Sequence, residues 1–239
     1  MTEENSKCHT SNYHSVCKIP NTHDKFEEAH YFLHMMINNY HDADGFRFNM
    51  NAFIQALRNI TFALQSEKRN IPNFDKWYEE KQTWMKGSIL LKNFVEGRNV
   101  VVKRGNLAIK SEAHIGLFRY RKHKLGMIIP VNPFQSSEHL LRVAEEHFVG
   151  FLIDEDHSDI GEQCGISRKW VVEEIGEAEV LQLCFEAWRM IGQLLTDAHN
   201  LLGMNFHVPN DCEERPENYQ VLLETDLNPD LIEKWGWNE

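Results

Sequence analysis

Long apolar runs are missing from this chain of 239 residues. The longest are short, such as Phe148-Val149-Gly150-Phe151-Leu152-Ile153. A membrane helix needs about 18 or more, so no membrane span is expected. The opening Met1-Thr2-Glu3-Glu4-Asn5 is acidic and polar, with no apolar region behind it, so no export signal is expected either. Cysteine is sparse: Cys8, Cys17, Cys164, Cys184 and Cys212 are odd in number and scattered, and no C-x-x-C pair exists. That fits reduced thiols in a cytoplasmic protein better than a disulfide framework. Phosphate loops, dinucleotide fingerprints and nucleophile elbows are also absent. No cofactor is expected.

Charge is abundant and unevenly placed. The net charge is −11, yet residues 46–124 carry 16 Lys and Arg against 6 Asp and Glu, a net of +10. Residues 138–239 carry 6 against 23, a net of −17. A basic middle can face an anionic ligand such as RNA, or an acidic segment of the same molecule. Apolar residues make up 42 % of the chain, enough for a sizeable core.

Residues 1–22 are polar and aperiodic and are expected to form a flexible tail. Cys8-His9 and His14-x-x-Cys17 offer zinc donor types, but the two cysteines lie nine positions apart. Structural zinc sites present close ligand pairs, so no metal is expected there. A helical bundle is expected over 23–105. Its first helix spans about 24–41, where Asp24 and Glu27 resemble a capping box and Phe26, Ala29, Leu33, Met36, Ile37 and Tyr40 recur at helical spacing. The others span about 46–69, 73–86 and 88–104, with Asn70-Ile71-Pro72-Asn73, Gly87 and Gly105 as breaks. Short connections favour an antiparallel, up-and-down arrangement. His30 and His34 are spaced to share a metal, but His41 is nearly two turns further on and no Glu lies between the first two. They read as histidines of an amphipathic helix.

Residues 106–239 change character. Segments 106–110, 115–118, 125–131 and 148–153 read as strands, and about 176–202 as a long helix with Leu181, Cys184, Trp188, Ile191, Leu195 and Ala198 inward. An acidic tail with Pro209, Pro216, Pro229 and Trp235-Gly236-Trp237 follows. The expected fold is α+β, mainly α: an N-terminal antiparallel helical bundle, a small antiparallel β region and a long C-terminal helix that packs back on the bundle.

One stretch carries chemistry. Phe94-Val95-Glu96-Gly97-Arg98-Asn99-Val100-Val101-Val102-Lys103 closes the fourth helix. Residues 24–105 resemble a HEPN-type bundle, and Phe46 to Gly105, with Phe74-Asp75-Lys76-Trp77-Tyr78, also resembles a group of uncharacterised bacterial proteins. In active HEPN ribonucleases the resemblance implies a composite site at a homodimer interface. Arg98 would hold the scissile phosphate, Asn99 would orient its partners, and a His at position 103 would activate a 2′-hydroxyl. Here position 103 is Lys. A base working near neutral pH must be largely deprotonated, and lysine ordinarily titrates near about 10.4.

The reading is therefore a non-catalytic, HEPN-like, cytoplasmic module that binds an RNA or protein partner, with Arg98, Lys103, Arg104 and Lys110 as nucleic-acid contacts. The alternatives are a weak, metal-independent ribonuclease using Arg98, Asn99 and Lys103, and a small-molecule-binding protein. Arg98 and Lys103 also suit a helix C-terminus, where cations meet the negative end of the dipole.

Overall fold

The computed structural model describes residues 17–119, 122–143, 145, 163–208 and 219–221, and every structural statement below concerns these. Its long helices are α1 (Pro20–Asn38), α2 (Ala43–Ser66), α3 (Phe74–Gly87), α4 (Ile89–Lys103) and α5 (Val180–Leu201). Four strands are β1 (Ile109–Arg119), β2 (Lys122–Val131), β3 (Gln163–Val172) and β4 (Tyr219–Val221). The molecule is α+β and mainly α, with a small sheet ordered β2-β1-β3-β4. The pairs β1/β2 and β3/β4 are antiparallel.

Helix α1 begins at Pro20, four residues before the capping box at Asp24. Proline suits the first helical position, where its missing N–H has no intrahelical acceptor. The cap itself comes from another helix's end. The Glu67 carboxylate accepts from Asn21 N (3.0 Å) and Thr22 N (2.9 Å), and from the Thr22 hydroxyl (2.6 Å). A local capping rule cannot see a cap supplied from 46 residues away. Helix α4 obeys the local rule: the Ser88 hydroxyl accepts from Leu91 N at 3.2 Å. It ends at Lys103, and Gly105 just beyond takes a φ of 123° that favours glycine.

The chain forms two compact units. The first gathers α1, α2 from Arg47 onward, α3, α4 and α5. Within it α5 packs on α1. Trp188 stacks against Phe26 (4.7 Å) and His30 (4.6 Å), one turn apart on α1, while His199 faces His23 (5.9 Å). Early residues of α1 thus meet late residues of α5, so the two helices run antiparallel. Phe26, Leu33, Trp188, Leu195 and Ala198 are buried in this seam. Gly192 lets the helices close: a Cβ there would lie 3.1 Å from Phe26 Cζ and 2.4 Å from Val208 Cγ2.

The second unit holds Asn39–Phe46 and the strands. The extended segments expected at 106–110 and 115–118 fall on one strand, β1, which begins only at Ile109 and has a register shift between Leu117 and Phe118. Strand β3 was not anticipated, and the strand expected at 148–153 lies outside the described residues. The core of this unit is aromatic. Phe46 stacks on Trp170 at 4.7 Å, and Trp170 Nε1 donates to Tyr40 O. Arg168, 2 % exposed, donates to Ser111 Oγ and Gln135 O and lies 3.8 Å over the Trp170 ring. Burial lowers its guanidinium to about 10.

Candidate functional site

The first unit carries a groove between α2, α3 and α4, with Ile191 of α5 at its base and a volume of about 370 Å³. Its floor comes from the inward stripes of three helices: Leu57 on α2, Tyr78 on α3, and Leu91 and Phe94 on α4. All four are buried. Arg58, Lys86 and Lys92 stand among the lining residues, against one acidic residue, Glu96.

Local chemistry shapes the walls. Arg58 Nη1 donates to Thr61 Oγ1 at 3.0 Å, and its guanidinium lies 4.5 Å over the Phe62 ring. The pair is set by their i, i+4 spacing on α2. Phe62 is nevertheless 46 % exposed, and Val95 on the opposite wall is 40 % exposed. Burial pushes the Tyr78 hydroxyl above its ordinary range, so it stays neutral in the groove. Its side-chain hydrogen bonds with Gln82, Thr61 and Gln65 act the other way and only moderate that effect. The arrangement offers an apolar floor, neutral hydrogen-bonding groups and positive charge.

The residues singled out in the sequence lie elsewhere. Arg98 and Asn99 are half-buried on the second half of α4, with Arg98 Nη1 3.5 Å from Asn99 Oδ1. Lys103 and Arg104 are exposed at its C-terminal end. Lys110 is an exposed residue of β1, in the other compact unit. Arg98, Asn99 and Lys103 thus sit on the last two turns of α4, with Arg104 just past its end, and none of them lines the groove. The groove takes Leu91, Lys92, Phe94, Val95 and Glu96 from the earlier turns. Sequence reasoning missed Arg58, Lys86 and Lys92 because isolated cations on amphipathic helices look like ordinary solvated faces. The one available signal was Arg58 four residues before Phe62.

His30 and His34 on α1, and His41 just beyond it, do not converge on one point. His30 is buried against Trp188, and His34 Nε2 lies 3.0 Å from His30 Nε2. His41 Nδ1 lies 2.8 Å from Ser137 Oγ. Cys8, His9 and His14 lie outside the described residues. No helix among the described residues is long and apolar enough to cross a membrane.

Fold and groove together define a mainly helical α+β protein with an apolar, cation-edged cleft. The chain belongs to the bacteriophage lambda protein ea47 family, whose model matches residues 10–221. It is 27 % identical over 207 residues to Protein ea47 of Escherichia phage lambda, covering 84 % of this chain and 48 % of that protein. The chain therefore spans about half the length of the curated relative it matches. Neither match is to a HEPN protein: the family is a phage-type one. No solved structure matches the chain.

Proposed function

We propose that this chain is a non-catalytic partner-binding module, and that the groove between α2, α3 and α4 receives an acidic, amphipathic helix of a protein partner. The observation that carries this is the pairing of a buried apolar floor with Arg58, Lys86 and Lys92. Phe62 and Val95 remain exposed on its walls. A helix laid in a groove needs apolar sockets for side chains at i, i+3 and i+4. Acidic residues flanking those anchors would meet the three cations, in keeping with the net +10 of residues 46–124. Phosphate contact draws on cations and polar groups more than on an apolar floor. For that reason the HEPN-like RNA reading, through Arg98, Lys103, Arg104 and Lys110, ranks second. Its support is the exposure of Lys103, Arg104 and Lys110.

The test is a selection on the full chain from a random peptide display library, with a random single-stranded RNA pool in parallel. Acidic peptides with Leu or Phe at helical spacing are expected to be enriched. Their affinity is expected to fall about tenfold or more, equivalent to about 1.4 kcal/mol, on Phe62→Glu or Lys86→Glu. No such enrichment, or equal binding to both variants, sinks the proposal. RNA retention that is lost on Arg98→Ala and Lys103→Ala would install the RNA reading in its place.

A further inference from the structure

Cys17, His23 and His199 converge in the first unit although 182 residues separate Cys17 from His199. Each offers one donor atom, and these atoms lie within 4.8 Å of one another. All three residues are buried: Cys17 is 9 % exposed, His23 2 % and His199 1 %. Cys17 Sγ and His199 Nε2 are 3.4 Å apart. Tetrahedral bonds of about 2.0–2.3 Å place neighbouring ligands about 3.3–3.7 Å apart. One pair is thus at ligand separation already, and the His23 donor lies within 4.8 Å of both.

The surroundings prepare the donors. His199 Nδ1 lies 2.8 Å from Leu195 O, one turn back on α5. A carbonyl only accepts, so that contact places the proton on Nδ1 and leaves the Nε2 lone pair facing Cys17. An imidazole oriented through its other nitrogen is the usual outer-shell arrangement of a metal ligand. The Glu27 carboxylate lies 3.6 Å from His23 Nε2. Phe206 closes one side, stacked on His199 at 4.7 Å and edge-on to His23 at 5.2 Å.

A second chemistry uses the same atoms: a Cys17–His199 nucleophilic dyad. It requires an accessible thiolate. Cys17 is buried, so its sulfur is shielded from a substrate. A divalent cation needs no substrate access, and its charge stabilises the thiolate directly.

We infer that Cys17, His23 and His199 form a zinc site that ties the segment before α1 to the last turn of α5. One thiolate and two imidazoles suit Zn²⁺, and water completes the tetrahedron. Binding forms the Zn–S bond and breaks the Cys17 S–H bond, and the proton leaves to solvent.

The test uses the full chain stripped with chelator, then titrated with Zn²⁺ by calorimetry in buffers of different ionisation heat. Co²⁺ serves as the spectroscopic probe. One ion is expected to bind, with release of about one proton and a rise in melting temperature. Co²⁺ is expected to show thiolate charge-transfer absorption. Cys17→Ser should abolish that absorption, and His199→Gln should weaken Zn²⁺ binding by about 100-fold. Circular dichroism confirms that each variant is folded; if Cys17→Ser is not, His23→Gln joins His199→Gln as the second affinity probe. No saturable Zn²⁺ uptake by the wild-type chain overturns the inference. So do uptake and absorption that survive in the folded variants.

Discussion

Two residues show how burial converts chemistry into stability. Burial holds the His199 imidazole below its ordinary value of 6.5. The unfolded chain therefore takes up a proton at this position before the folded chain does. Stability carried by neutral His199 is full above pH about 6.5 and drains as the pH falls further. The ring faces Cys17, His23 and the Leu195 carbonyl, and none of these becomes an anion that would rescue the imidazolium on acidification. Urea melts of the chelator-treated chain between about pH 7.5 and 5 should show a falling midpoint, and a flatter profile for His199→Gln. An equally steep profile in the variant would contradict the assignment. Glu67 is the second case. It accepts hydrogen bonds from Asn21 and Thr22 and is only 8 % exposed. Glu67→Ala leaves those donors without their acceptor, and a loss of about 2 kcal/mol is expected from denaturant melts. A change within experimental error would show that water replaces the carboxylate fully.

At the scale of elements, the seam between α1 and α5 is where close packing is most exacting. Gly192 sits opposite Phe26 with no room for a larger side chain. Gly192→Leu should destabilise by about 1–3 kcal/mol through overpacking, read as a lower denaturation midpoint with helix content retained. A neutral result would mean that the seam relaxes around the added atoms. The helices were legible because α2, α4 and α5 carry apolar residues at a regular helical period. The start of α1 was misread because its cap is the side chain of Glu67, brought there only by folding. Strand β3 was missed because Gln163-Cys164-Gly165-Ile166-Ser167-Arg168-Lys169-Trp170 mixes Gly and charge with its apolar residues. Arg168 is tolerated inside because Ser111, Gln135 and Trp170 receive it.

At the scale of the whole molecule, charge sets the terms of association. The net charge is −11, yet the groove belongs to the basic stretch 46–124. Binding of an acidic probe peptide selected on the groove should weaken as salt is raised from about 50 to 500 mM, because rim charges are screened within about a Debye length. Titrations by fluorescence anisotropy would show it, and salt-independent binding would remove the cations from the proposal. The sequence by itself determined the helices with strong period, the α+β composition and the basic–acidic division, since these depend on neighbours within a few turns. It also placed Arg98 to Lys103 at the end of α4. Only the tertiary structure decided which cations share a groove, and that Cys17 meets His23 and His199. Donor convergence depends on α5 lying antiparallel on α1. That packing is a long-range outcome of burying Phe26 and Trp188 against each other, and no local pattern in the chain encodes the distance.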